Sequence, residues 1–337
     1  MHNFLDPAIL FFVFGILAGC LRSNLEIPQP ISRFLSLYLL MALGLKGGFA
    51  LAKSGMTPEV AASLACAVLL AVVIPLVTYQ LLKRRVPAFD AAAVAATYGS
   101  VSAVTFITAS QYLDTHQILY GGHMAAAMAL MESPAIVIAV VLANTLRRQA
   151  AGAAAFPLGG GTAVLGSAAL PGSGLGKILH ESLTDGTQLL LLGAMAVGLL
   201  TGEAGKAAMA PFSVDLFKGM LAFFLLDMGL LTARNFGKLR GQSGWLLAYA
   251  ACAPVVHASV ALGLAVLAGL SPGNGTLLMV LAGSASYIAV PAALRYSIPE
   301  ANPSVYFSMS LGITFPLNIM LGIPMYAWAA SLLLGEA

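Results

Sequence analysis

The chain has 337 residues, of which 59% are hydrophobic and 9% charged, with a formal net charge of +3 and a mean hydropathy of +0.91. Soluble domains average about 45–50% apolar and 25% charged residues, so water is excluded as the main solvent and no separate soluble domain of normal size fits in the chain. Cys20, Cys66 and Cys252 fall inside apolar runs without CxxC or Cys/His spacing, which excludes a disulfide framework and a zinc site.

Apolar stretches long enough to cross a bilayer recur from Pro7 onward. They predict an all-α membrane protein with ten helices, at residues 7–21, 34–52, 58–82, 91–112, 120–146, 186–201, 213–232, 243–269, 275–295 and 303–333. The first stretch lacks a basic flank and a small-residue cleavage site, so it is expected to be a retained helix rather than a signal peptide. One set of alternate loops and helix ends carries Arg22, Arg33, Lys83, Arg84, Arg85, Arg147, Arg148, Lys177, Arg234, Lys238, Arg240 and Arg295, whereas the other carries Lys53, Lys206 and Lys218. Short loops rich in Lys and Arg stay cytoplasmic, so both termini are expected on the non-cytoplasmic side of a bacterial inner membrane. Residues 147–185, rich in Gly, Ala, Ser and Pro from residue 149, are expected to be a cytoplasmic linker. It divides a first five-helix unit, 1–146, from a second, 186–337.

The two units echo each other. YGSVSAVTFITASQYL at 98–113 matches AGSASYIAVPAALRYS at 282–297 with an offset of 184, aligning Gly99 with Gly283, Ser100 with Ser284, Ser102 with Ser286, Ala109 with Ala293 and Tyr112 with Tyr296. Pro134 answers Pro316 and Gly44 answers Gly229 at nearby offsets. A five-helix repeat has an odd number of crossings, so its second copy inserts upside down, which is the architecture of secondary transporters. The matching segments place Gly-Ser-x-Ser at mid-membrane in the fourth and ninth helices, where a break survives only beside a polar cavity. Two opposed half-helix N-termini crossing there at the midplane would share one small anion, held by Ser100, Ser102, Ala103, Val104 and Thr105 from one side and Ser284, Ser286, Tyr287 and Ile288 from the other, the other reading being that the small residues only permit close helix packing.

Few ionisable residues lie inside the spans. Glu132, one residue before Ser133-Pro134, has Thr314 as its repeat counterpart, and proline frees a carbonyl four residues back. Oxygens of Glu132, Thr314 and Asn318, with the hydroxyls of Ser102 and Ser286, are therefore candidates for a cation site suited to Na+, with a proton-carrying or purely structural Glu132 as the other readings. Lys46 and Asp227 sit at different depths, which argues against a direct salt bridge between them; Lys46 is left to reach Glu132 or snorkel outward and Asp227 to snorkel to the cytoplasmic interface. His257 is expected to be a hydrogen-bonded packing residue.

LGLKGG at 43–48, GSVSAVT at 99–105, MESPA at 131–135, VLAN at 141–144 and ALRYSIPEANPSVY at 293–306 resemble segments of the sodium-dependent bicarbonate permeases of the SbtA type, and the resemblance spans nearly the whole chain. It implies a homotrimer of ten-helix subunits in inverted repeats, and symport of bicarbonate with Na+ where the broken helices cross. By position it carries substrate binding onto Ser102, Ala103, Thr105, Ser286, Tyr287 and Ile288, and the cation onto Glu132. Cyanobacterial members tend to have an acidic residue and small residues where this chain has Tyr287, Ile288, Ala289 and Val290. A cytoplasmic regulatory protein on the linker is a further partner the resemblance raises. No cofactor besides Na+ as coupling ion, and no nucleic acid, is expected.

The sequence leaves two other readings open: a sodium- or proton-coupled symporter of a small organic carboxylate, and a membrane anion sensor without turnover. An intramembrane enzyme is disfavoured, because HExxH, GxSxG and paired aspartates at helix crossings are missing.

Overall fold

The computed structural model describes residues 6–154, 186–239 and 241–335, and these are helical with short connections. In chain order the helices are α1 (Pro7–Cys20), α2 (Gln29–Ser54), α3 (Pro58–Leu82), α4 (Ala88–Gly99), α5 (Ala103–Thr115), α6 (His123–Ala154), α7 (Gly186–Ala210), α8 (Phe217–Leu239), α9 (Gly244–Leu267), α10 (Pro272–Gly283), α11 (Ala289–Ser297) and α12 (Pro303–Leu334). Their starts follow from local chemistry. Asp6, Thr57, Ser243 and Asn302 each accept a hydrogen bond from the first turn of the helix they cap, and Pro7, Pro58 and Pro303 occupy first-turn positions that need no N–H.

Among the described residues, seven helical runs are long and apolar enough to cross a membrane. The ten predicted spans differ from this count for three reasons. Helix α1 has only 14 residues, and Pro272–Ser297 is divided into helices of 12 and 9 residues. Residues Gly186–Leu239 form one run of 54 residues, about 80 Å at 1.5 Å per residue, which is long enough for two crossings. That run bends at Gly202, whose φ of 54° and ψ of −139° suit glycine, and passes a wide turn at Pro211–Asp215.

The fifth predicted helix runs eight residues past its expected end, to Ala154, so the expected linker does not begin at 147. Arg147 lies within the extension. Its guanidinium grips Glu300 through two hydrogen bonds of 2.7 Å and also reaches the Ser297 carbonyl at 2.9 Å and Asn144 at 2.9 Å, tying the end of α6 to the α11–α12 corner. The rest of the expected linker, 155–185 with Lys177, lies outside the described residues, as does Arg240.

Glycines set the closest helix approaches. Helix α1 lies along α8 where Gly15 meets Gly229, and a Cβ on Gly15 would come within 3.1 Å of the Gly229 Cα. Helix α2 lies along α7 in the same manner, with Gly198 facing Gly48: a Cβ on Gly198 would come within 2.6 Å of the Leu45 carbonyl oxygen. Backbones this close gain dispersion contacts that lipid does not supply. Helix α3 packs on α4 and α6, and α9 on α10. Pro75 inside α3 fills the space beside Gly99, while the Pro254 carbonyl inside α9 borders Gly283, so each break has a proline-containing helix behind it.

Gly229→Val is expected to push α1 off α8 and cost about 1–3 kcal/mol, read as a lower melting temperature in detergent; Gly193→Ala, where a Cβ meets nothing within 4 Å and alanine favours the helix, is the control that does not lower it. Arg147 hydrogen bonds hold the Glu300 carboxyl below the usual carboxylate range. The stabilisation is therefore complete above the ordinary glutamate pKa of about 4.3 and is lost as pH falls through the lower folded value. Being half exposed, the pair is worth about 1 kcal/mol or less, and Glu300→Gln should flatten the acid side of the melting-temperature profile.

Candidate functional site

Helices α4 and α5 are separated by Ser100–Ser102, and α10 and α11 by Ser284–Ile288. In a membrane, the amides released by such interruptions must find acceptors inside the protein. They find them in each other. The Ser102 N–H donates to Ser284 Oγ at 3.0 Å, and the Ser286 N–H donates to the Thr97 carbonyl at 2.8 Å, so each break completes the other.

The side chains then cap the second half-helices. Ser102 Oγ accepts from the Thr105 N–H at 3.2 Å and the Thr105 hydroxyl at 2.9 Å, a regular N-cap. Ser286 Oγ accepts from the Val290 N–H at 3.2 Å, although the residue flanking α11 is Ile288, which supplies no cap. The first-turn amides of Ala103 and Val104 have no acceptor within their own helix by geometry, and the positive ends of two helix dipoles are left at the interruptions.

Both N-termini line one cavity of about 50 Å³. Ser102, Ala103 and Val104 contribute one wall and Ser286, Tyr287 and Ile288 another, with Glu132 of α6 beside them. Gln188 of α7 also lines it and donates from Nε2 to Glu132 Oε2 at 3.0 Å. Ser102 and Ser286 are 4% and 2% exposed, so their polar atoms face the protein interior rather than lipid.

Other predicted residues stand elsewhere. Ser100 and Ser284 are buried in the breaks without lining the cavity, and Thr105 turns its hydroxyl to Ser102. Thr314 bonds the Tyr98 hydroxyl at 2.7 Å and the Ala250 carbonyl at 2.8 Å. Asn318 donates to the Gly283 carbonyl at 2.8 Å and accepts from Tyr326 at 2.9 Å, closing the last turn of α10. The structure thus does not bring Thr314 and Asn318 to Glu132. Lys46 pairs with Asp114 at 3.2 Å rather than with Glu132, and Asp227 accepts from the Ser32 hydroxyl, so these two charges have separate partners. His257 stands in α9 with its Nδ1 buried and no hydrogen-bond partner for that atom among the described residues.

Sequence reasoning missed Ser36, Thr187 and Gln188. Gln188 stands beside an expected helix start and gave no such signal in the sequence; its burial, 4% exposed with its amide on Glu132, emerges only once α7 is placed.

A family profile matches residues 7–331, nearly the whole chain, and its description is the Na+-dependent bicarbonate transporter superfamily. The chain belongs to that superfamily. No curated protein matches it. Membership makes the chain a transporter and not an enzyme, with bicarbonate and Na+ as the solutes of its family. The transporter's cavity has room for a few heavy atoms, far below the 300 Å³ or more of sites for larger organic ligands.

Removing the acceptor between the two breaks provides a test of their interlock. Ser284→Ala in the transporter strands the buried Ser102 amide and should cost about 1–3 kcal/mol, read as lower thermal stability in detergent. A variant as stable as the parent would contradict the interlock.

Proposed function

We propose that the transporter is a secondary carrier that imports bicarbonate by symport with Na+, using two inverted five-helix repeats and alternating access. The observation that carries this reading is the convergence of two half-helix N-termini and one carboxylate on a cavity of about 50 Å³. Amides at a helix N-terminus favour an anion, and the volume selects a small one. Backbone N–H groups of α5 and α11 hold the bicarbonate oxygens, with the Ser102 and Ser286 hydroxyls beside them.

Na+ binds at Glu132, where a carboxylate and hydroxyl oxygens supply the hard ligands it prefers. Thr314 and Asn318 are committed to other partners, so the proposed cation ligands reduce to Glu132, Ser102 and Ser286. Opposite charges in adjoining sites stabilise one another, which couples the two solutes: each raises the affinity for the other by the same factor.

Support for inversion comes from the paired crossings. Gly15 of α1 meets Gly229 of α8 while Gly48 of α2 meets Gly198 of α7, as expected if the first two helices of each unit exchange roles. In this reading helices α1, α2, α7 and α8 form the scaffold and the trimer contact, and α3–α6 with α9–α12 form the moving core. Arg33 and its neighbours face the cytoplasm, both termini lie outside the bacterial inner membrane, and a cytoplasmic regulatory protein has the linker available.

A second hollow, of about 940 Å³, shares Ser36, Thr187 and Ile288 with the small cavity and extends to Gln29 and Arg33. The described conformation is therefore assigned as open toward the cytoplasm.

Proteoliposomes with sodium and proton gradients imposed separately provide the test. Labelled bicarbonate should accumulate with the sodium gradient alone, acetate and pyruvate should not, and Glu132→Gln should reduce sodium-driven uptake at least about tenfold, as loss of a charged ligand implies. Uptake that is equal without sodium would contradict the coupling, and preferential uptake of pyruvate would contradict the substrate.

A further inference from the structure

Helices α2, α5 and α7 run from the small cavity to a third hollow at their far ends. Residues Ser36 and Leu40 of α2, Ser102–Val104 of α5 and Gln188 of α7 border the cavity, whereas Lys53, Asp114 and Lys206 of the same helices border a hollow of about 550 Å³. The two share no lining residue. Leu43 and Phe106, 3% and 1% exposed, line the hollow and not the cavity.

The charge of this hollow is unusual for so apolar a chain. Lys53, Lys206 and Lys218 are all the cations that the sequence allots to the loops and helix ends of this side, and each of them lines the hollow. Lys46 is a fourth. Two carboxylates oppose them: Asp114 holds Lys46 at 3.2 Å, and Glu203 lies 3.7 Å from Lys206. Among the described residues, Lys53 and Lys218 have no acidic partner, so the lining carries two positive charges in excess of its negative ones. Lys46, besides its ion pair, sits 4.2 Å above the Phe217 ring, which fixes it at the inner end of the hollow.

We propose that this lysine-lined hollow is an anion-collecting vestibule that concentrates bicarbonate at the mouth opposite the Arg33 hollow, a proposal that rests on the carrier reading above. A concave surface of one sign focuses its field and raises the local concentration of a small counter-ion. Two net charges acting across about 8 Å of water enrich a monovalent anion on the order of fivefold at low salt, and screening removes most of this once the Debye length falls to about 8 Å. The vestibule therefore acts on apparent affinity and not on the translocation step.

The test is initial-rate uptake of labelled bicarbonate at low and physiological ionic strength. The proteoliposomes are those in which the Lys53 end faces outward, scored with a membrane-impermeant thiol reagent on Met56→Cys, a position 77% exposed. The double variant Lys53→Gln, Lys218→Gln should raise KM about three- to fivefold at low ionic strength with kcat unchanged, and the difference should shrink at physiological salt. Lys53→Arg with Lys218→Arg keeps the charge and should keep the parental KM. An unchanged KM in the glutamine pair, alongside sodium-driven uptake by the parent, overturns the vestibule while leaving the carrier reading intact. A fall in kcat that the arginine pair shares also overturns it, since the lysines then serve structure. Failure of the parent to move bicarbonate overturns the carrier reading and the vestibule with it.

Discussion

Hydrocarbon offers no hydrogen bonds, so a helix interrupted inside a membrane must have its freed backbone groups satisfied by protein. Ser100–Ser102 and Ser284–Ile288 meet that requirement jointly: one amide goes from Ser102 to the Ser284 hydroxyl and another from Ser286 to the Thr97 carbonyl. Neither interruption is complete without its counterpart. The mutual bonds also decide what is left over, namely the first-turn amides of the second half-helices and the dipole ends behind them, which border a cavity of about 50 Å³. A fold that must repair two breaks thereby leaves two positive helix ends at one small cavity, the site proposed for the anion.

The surrounding architecture serves the same constraint. Pro75 and the Pro254 carbonyl press on Gly99 and Gly283, the last residues before each break, where a larger residue would collide. Asn318 takes the Gly283 carbonyl and Thr314 takes that of Ala250, both from a stretch of α12 widened around Pro316. Proline lacks the N–H of a regular turn, and the wider turns at Ser310–Thr314 and Asn318–Gly322 accommodate it. Asn318 thereby ties α12 to the end of α10, where the ninth predicted span is interrupted, while Thr314 ties it to α9 and to Tyr98 of α4.

Much of this was legible in the sequence, and the reasons differ by residue. The Gly-Ser-x-Ser segments were readable because glycine and hydroxyl residues recur at an offset of 184 in otherwise apolar runs, and a coincidence of that kind points to backbone rather than packing. Glu132 was readable because a carboxylate at membrane depth is costly without a purpose. Its neighbour Gln188 was not, since a glutamine beside an expected helix start reads as interfacial until α7 is seen to bring it to the cavity. Thr314 aligned with Glu132 by repeat position, yet repeat position fixes depth and not the direction a side chain faces; the structure turns it to Tyr98. The grip of Arg147 on Glu300, 153 residues away, is a contact that local pattern does not encode. The motif at 293–306 that carried the strongest family resemblance is in large part this corner, where the Asn302 amide also donates to Asp90 at 2.7 Å.

The hollows at the two ends of α2 and α7 make the small cavity a midpoint: one hollow shares part of its lining and the other, which Leu43 and Phe106 line, shares none. In the carrier reading the anion occupies this midpoint between the two N-termini. A density map of the protein in lipid with saturating sodium and bicarbonate tests it most directly. A planar, four-atom density is expected within hydrogen-bond reach of the Ala103 and Val104 amides and of the α11 N-terminus. A bound anion elsewhere, with the midpoint filled by side chains, would contradict it.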